Sequence, residues 1–164
     1  MNKVKQQKLL KFIFFLSIFG IILSGYLTYT HYSELDSVCD LNETFQCSTV
    51  KQSQYAEIFN IPVALLGLLG YSFLGLISFS LAKEKILRKI KEKHVINKII
   101  SAKTMFIFSL IAVGISLYLT YAEFFLIKAL CVLCLVSQVI ILGITIISYK
   151  NLQLEKIRGD LKLQ

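Results

Sequence analysis

The chain contains no tryptophan, one proline and two histidines, and charged residues fill only 17% of its 164 positions. A soluble domain carries about 25% charge. This shortage, beside 55% hydrophobic residues and a mean hydropathy of +0.67, excludes a disordered chain, a coiled coil and most soluble enzymes. Nothing resembles a catalytic triad or a phosphate loop. The two histidines, His31 and His94, flank different apolar runs and cannot form one metal site. Acid is also scarce relative to base, with 10 Asp and Glu against 18 Lys and Arg, a net charge of +8. Such an excess can mark a nucleic-acid binder, but its distribution gives it another meaning.

What the sequence has in abundance is long apolar runs. Four of them, 9–30, 61–82, 104–122 and 129–149, approach the roughly 20 residues that cross a bilayer as a helix. In lipid every backbone amide must be paired within the chain, which selects helices. The first run is too long for the core of a signal peptide, and no small-residue cleavage site closes it, so it is read as a retained helix. The expected fold is an all-α integral membrane protein. It is a four-transmembrane-helix bundle of one domain over 1–164, with an outer loop carrying a cysteine pair.

Sixteen of the 18 basic residues precede the first run or sit at its leading edge (Lys11), lie between the second and third, or follow the fourth. Only Lys51 and Lys128 lie on the other side, with Glu34, Asp36, Asp40, Glu43, Glu57 and Glu123. Positive charge accumulates on the cytoplasmic side. Both termini and the middle loop are therefore expected in the cytoplasm, and the 31–60 loop and the Glu123–Lys128 turn outside. The excess is a topology signal and calls for no nucleic acid. The middle loop reads as a solvated inside loop; the alternative is a basic amphipathic helix on the anionic leaflet.

Small residues at four-residue spacing run along the first span (Gly20, Ser24, Thr28) and the third (Ala112, Ser116, Thr120). Such ridges let helices approach closely, and both read as packing surfaces. The segments Ser24-Gly25-Tyr26-Leu27-Thr28-Tyr29 and Ser116-Leu117-Tyr118-Leu119-Thr120-Tyr121 match at five of six positions. That fits either two similar helical hairpins or chance likeness of apolar sequence.

All four cysteines fall on the outward side. Cys131-Val132-Leu133-Cys134 opens the last span, so the two thiols share a face at a helix start, where a thiolate is stabilised. Cys39 and Cys47 bracket a short polar segment of the first loop. A disulfide closing so short a loop constrains little chain entropy and suits exchange better than stapling. Two pairs of different character suggest an electron relay through mixed disulfides. A quinone is the acceptor to expect in a membrane, since no haem, flavin or nucleotide motif is present. Structural staples and a four-sulfur zinc site are the alternatives.

Beyond these pairs, Cys47-Ser48-Thr49-Val50 followed by Ser53 and Tyr55-Ala56, then Ile61-Pro62-Val63-Ala64-Leu65-Leu66-Gly67, complete a pattern. With Cys131-x-x-Cys134 it resembles the vitamin K epoxide reductase (VKOR) family in its single-domain prokaryotic form. The likeness runs from about Gly20 to Leu142. The DsbB-type oxidases also use four helices and four cysteines, but there the CxxC pair precedes the loop pair. The resemblance implies a four-helix bundle around a quinone, with no fused thioredoxin-like domain. It implies a membrane thiol oxidase that reoxidises a soluble, thioredoxin-fold, DsbA-like partner outside the cytoplasm and passes two electrons to ubiquinone or menaquinone. By the same resemblance Cys134 is nearest the quinone, Cys131 is its resolving partner, and Cys39 and Cys47 are the shuttle pair. Ser53 matches a loop serine near the active site, and Tyr55 follows on a short helix lying on the membrane. Where animal members carry a quinone-bonding tyrosine, this chain has Gln138, whose amide meets either a quinone oxygen or a neighbouring helix. That change weakens the alternative of an epoxide reductase. His31 reads as a solvated loop histidine rather than a relay for quinone protons.

Overall fold

The computed structural model describes residues 2–33, 40, 46–58, 61–84 and 102–160. Cys39 and the middle loop over 85–101, with its candidate amphipathic helix, lie outside them. Each predicted span is a helix: α1 (Asn2–Tyr32), α3 (Val63–Glu84), α4 (Ala102–Ala122) and α5 (Val132–Asp160). All four are long and apolar enough to cross a membrane. α1 starts before position 9 and α5 runs past 149 because hydropathy marks only the lipid-facing stretch. The basic flanks, rich in Lys, Gln, Leu and Glu, are good helix formers and continue the spiral.

The other ends are set by local chemistry. Cys47–Lys51 forms a short helix, α2, and Gln54–Ala56 a 3-10 turn. Glu57–Ile58 then pairs antiparallel with Ile61–Pro62, with Glu57 opposite Pro62. α3 therefore starts at Val63 rather than at 61, since Pro62 is spent in the ladder. α4 continues into a π-helical turn, Glu123–Ile127, which Lys128 ends in the left-handed region at φ 57°. This break delays α5 to Val132.

α1 packs along α3, α4 along α5, and α1 also against α5. Leu10, Ile13, Leu74, Ile77, Met105 and Ile144 fill the core in the half remote from the cysteines. Two buried hydroxyls there are satisfied by backbone: Ser17 donates to Ile13 O at 2.9 Å and Ser78 to Leu10 O at 2.6 Å across the α1–α3 seam. In lipid the gain comes from such close packing and hydrogen bonding rather than from release of water. Phe12, Phe15, Leu76 and Val139 point outward, as a lipid-facing surface requires. The seam between α3 and α4 is thin, and at the cysteine end it opens into a cavity.

Candidate functional site

Asp40 accepts the Ser48 N–H at 3.0 Å and bonds the Ser48 hydroxyl, which fixes the start of α2. Cys47, the first residue of α2, is disulfide-bonded and 1% exposed. Cys131, also 1% exposed, packs with it in one buried cluster, with Leu27, Val50, Leu133 and Cys134 around them. Cys131 and Cys134 are free thiols. Three of the four predicted redox cysteines thus meet at one place; Cys39 lies outside the described residues.

Cys131 is the residue before α5. Its carbonyl accepts the Leu135 N–H at 3.0 Å, and its Sγ accepts the Cys134 N–H at 3.3 Å. This is a helix N-cap in which sulfur takes the place of a serine oxygen. The Cys134 thiol, hydrogen-bonded to the Cys131 sulfur, holds Cys131 below the ordinary cysteine range, and the Cys134 N–H adds to this. Burial and the nearby Glu123 charge oppose it. A helix N-terminus favours negative charge in the same way.

Glu123 was expected in a solvated outer turn. It is instead buried, 3% exposed, and its Oε2 accepts the Cys131 N–H at 3.3 Å. The Cys134 thiol lies within hydrogen-bonding reach of the same carboxyl. Glu123 opens the π-turn that follows α4, and its carboxyl caps the residue that starts α5. π-turns of this kind recur at functional sites.

The cavity holds about 400 Å³ between α1, α3, α4 and α5. That is within the size range of small-ligand sites. Cys47, Cys131, Cys134 and Glu123 line its head, with Ser53, Tyr55 and His31 beside them. Along α5 the lining residues are Cys134, Ser137 and Ile141, one helical stripe. Gln138 is off that stripe. Its Oε1 takes the Thr120 hydroxyl, and it does not line the cavity. Gln138 thus bridges α5 to α4. Tyr71 and Ser137, neither singled out from sequence, supply the polar pair deeper in. The Tyr71 hydroxyl donates to Ser137 O at 2.8 Å and lies 2.9 Å from Ser137 Oγ.

Two further expectations are revised. His31 is not a solvated loop residue. It sits in the last turn of α1, bonds Glu57 Oε1 at 3.2 Å and faces the cavity. The two small-residue ridges also differ in use. On α1, Gly20 lies against the Tyr71 ring, and Ser24 packs against Gly67, as close packing predicts. On α4, Ala112, Ser116 and Thr120 all line the cavity, while Ala112 also packs on the core and Thr120 also bonds Gln138 of α5. The echoed segments share geometry too: Thr28 donates to Ser24 O at 2.7 Å, and Thr120 to Ser116 O at 3.1 Å. Ser53 lines the cavity with its hydroxyl on Val50 O at 2.7 Å, and Tyr55 lies in the 3-10 turn. A signal for Ser137 was present, since it stands three residues after Cys134 on the same face. For Tyr71 there was none.

Four bilayer-length helices with a free dithiol at the head of an apolar cavity define a class, the multi-pass membrane protein with a cysteine pair at an intramembrane cavity. A model of the vitamin K epoxide reductase family matches residues 11–149, and the chain belongs to that family. Its members are membrane oxidoreductases linking thiol–disulfide chemistry to quinones.

Proposed function

We propose that this protein is a thiol oxidase that moves two electrons from a soluble thioredoxin-fold partner, through two cysteine pairs, to a quinone. The observation that carries the reading is the burial of disulfide-bonded Cys47 against the free, acidified Cys131. Exchange needs a thiolate within reach of a disulfide sulfur. A partner dithiol first reduces the Cys39–Cys47 disulfide and leaves oxidised. The freed Cys47 thiolate attacks Cys131 of a Cys131–Cys134 disulfide; a Cys47–Cys131 bond forms and Cys134 leaves as thiolate. Cys39 then attacks Cys47 and releases Cys131. The product, a loop disulfide beside a reduced CxxC, corresponds to the arrangement of the cysteines here: Cys47 bonded, Cys131 and Cys134 free.

The cavity fits a quinone head: apolar walls from Leu66, Phe108 and Ile111 for a flat ring, and the Tyr71–Ser137 pair for its oxygens. When bound, a quinone supplies the sink for two electrons and two protons. Cys134 stands at that space, with Ser53 and Tyr55 closing it from the loop side. The chain-end charges support cytoplasmic termini, and hence a plasma or inner membrane protein with its cysteines on the outer, oxidising side, where disulfides persist.

The test is quinone reduction by the purified protein, followed optically, with a reduced DsbA-like protein as donor. Turnover in the wild type and none in a folded Cys134→Ala variant supports the relay. No turnover with ubiquinone or menaquinone in folded wild-type protein overturns it and leaves structural disulfides as the reading.

A further inference from the structure

Glu123 is the one acidic residue among the described residues that is fully buried, and no cation lies within ion-pair distance of it among those residues. A carboxyl held away from water without a counter-charge is costly to keep. A cap for the Cys131 N–H does not require it, since an amide oxygen would accept that bond equally. It shares the cavity with the redox candidates: Cys131 just before α5, Cys134 in its first turn, disulfide-bonded Cys47 from α2, His31 from α1, and Tyr55 and Tyr71. On its own turn the cationic Lys128 is exposed.

Resting on the thiol-oxidase reading, we propose that Glu123 is the proton carrier of the Cys131–Cys134 pair. It takes the Cys134 thiol proton as the disulfide forms and delivers it to the quinone oxygen in the cavity it lines. The balance closes. As the Cys131–Cys134 bond forms, two electrons leave the sulfurs. One proton passes from Cys134 to the Glu123 carboxylate and on to one quinone oxygen. The other was lost to solvent when Cys131 ionised, and a solvent proton replaces it at the second quinone oxygen. The dithiol becomes a disulfide and the quinone a hydroquinone. A carboxyl bonded to the Cys131 N–H and lining one cavity with the Cys134 thiol is placed for general acid–base work, which is worth about 10²–10⁴-fold in rate.

The discriminating variant is Glu123→Gln, which keeps an oxygen for the Cys131 N–H and cannot carry a proton. Two readouts are taken on the full-length protein in detergent. The first needs no quinone: the pH dependence of iodoacetamide alkylation at Cys131 in the reduced protein. Removal of the opposing carboxylate charge moves that midpoint to lower pH in Glu123→Gln. The second is turnover of a short-chain ubiquinone and of menadione with dithiothreitol as donor. It falls about 100-fold or more in Glu123→Gln and loses the pH limb expected of the wild type. Glu123→Asp, which keeps a carboxyl, retains the limb and serves as the deciding variant if Glu123→Gln does not fold. Glu123→Gln turnover within about threefold of wild type, an unmoved alkylation midpoint, or an Asp variant without the limb overturns the assignment. Absence of turnover in the wild type instead refutes the thiol-oxidase reading, and the alkylation arm still reports on Glu123.

Discussion

Gly20 and Gly114 are both glycines within spanning helices, yet the structure predicts opposite outcomes for alanine at the two. A Cβ on Gly20 would lie 2.5, 2.6 and 2.6 Å from three carbons of the Tyr71 ring. Carbon atoms rest at about 3.5–4.0 Å, so the ring must retreat by roughly 1 Å. Tyr71 is 6% exposed and tied to Ser137 by its hydroxyl, so the only yielding direction is toward the cavity. Overpacking of this kind costs about 1–3 kcal/mol. It also places the ring in the space assigned to the quinone head. At Gly114 an added Cβ meets nothing within 4 Å. There the gain in helix propensity, about 0.8–1.0 kcal/mol, is unopposed. Thermal unfolding in detergent should therefore show Gly20→Ala below and Gly114→Ala at or above the wild type. Each kcal/mol moves the midpoint by roughly 2–4 °C. The quinone KM should rise for Gly20→Ala alone. Pairing Gly20→Ala with Tyr71→Leu removes the ring that clashes, so the double variant should lose less than the sum, by about 0.5–3 kcal/mol of coupling. Equal midpoints for the two alanine variants, or strict additivity, would refute the packing argument.

Cys131→Ser keeps an acceptor for the Cys134 N–H and Cys131→Ala removes it, so under reducing conditions the alanine variant should unfold about 1 kcal/mol more easily; equal stabilities would show that the sulfur is no cap. Because Cys131 sits below the ordinary cysteine range, its thiolate stabilises the reduced fold above the unfolded-state pKa, and that contribution is lost as pH falls through the folded value. Reduced protein should thus lose stability on acidification over that window, and Cys131→Ser should flatten the dependence. Gln138→Leu removes the Thr120–Gln138 bond and leaves the hydroxyl on Ser116 O, which should cost about 0.6 kcal/mol and at most about 1.7, with the quinone KM unchanged. Ser137→Ala, one position away but on the cavity stripe, should raise that KM about tenfold, the equivalent of one lost hydrogen bond near 1.4 kcal/mol. The reverse pattern in a steady-state assay would put Gln138 back at the quinone.

The spans and the placing of the CxxC at a helix start were legible because each rests on a signal local in sequence. Lipid demands unbroken apolar runs, and a CxxC at a helix start declares its shared face by spacing alone. The cavity was not legible, because it depends on which helices fail to touch. Ala112, Ser116 and Thr120 carry the same four-residue spacing as Gly20, Ser24 and Thr28. One ridge meets the Tyr71 ring and Gly67, while all three residues of the other line the cavity. Nothing in the spacing distinguishes a small residue that admits a neighbour from one that makes room. Glu123 was hidden for a related reason. Charge counting assigns a carboxylate after an apolar run to the water, and that holds when α geometry simply ends there. Here the chain takes a π-turn and then a left-handed residue at Lys128, so a polar side chain at the edge of a span is folded back under the next helix. An acidic residue wedged between the end of one apolar run and the CxxC opening the next has few places to go. The head of α5, with its unpaired N–H groups, is the nearest that welcomes an anion.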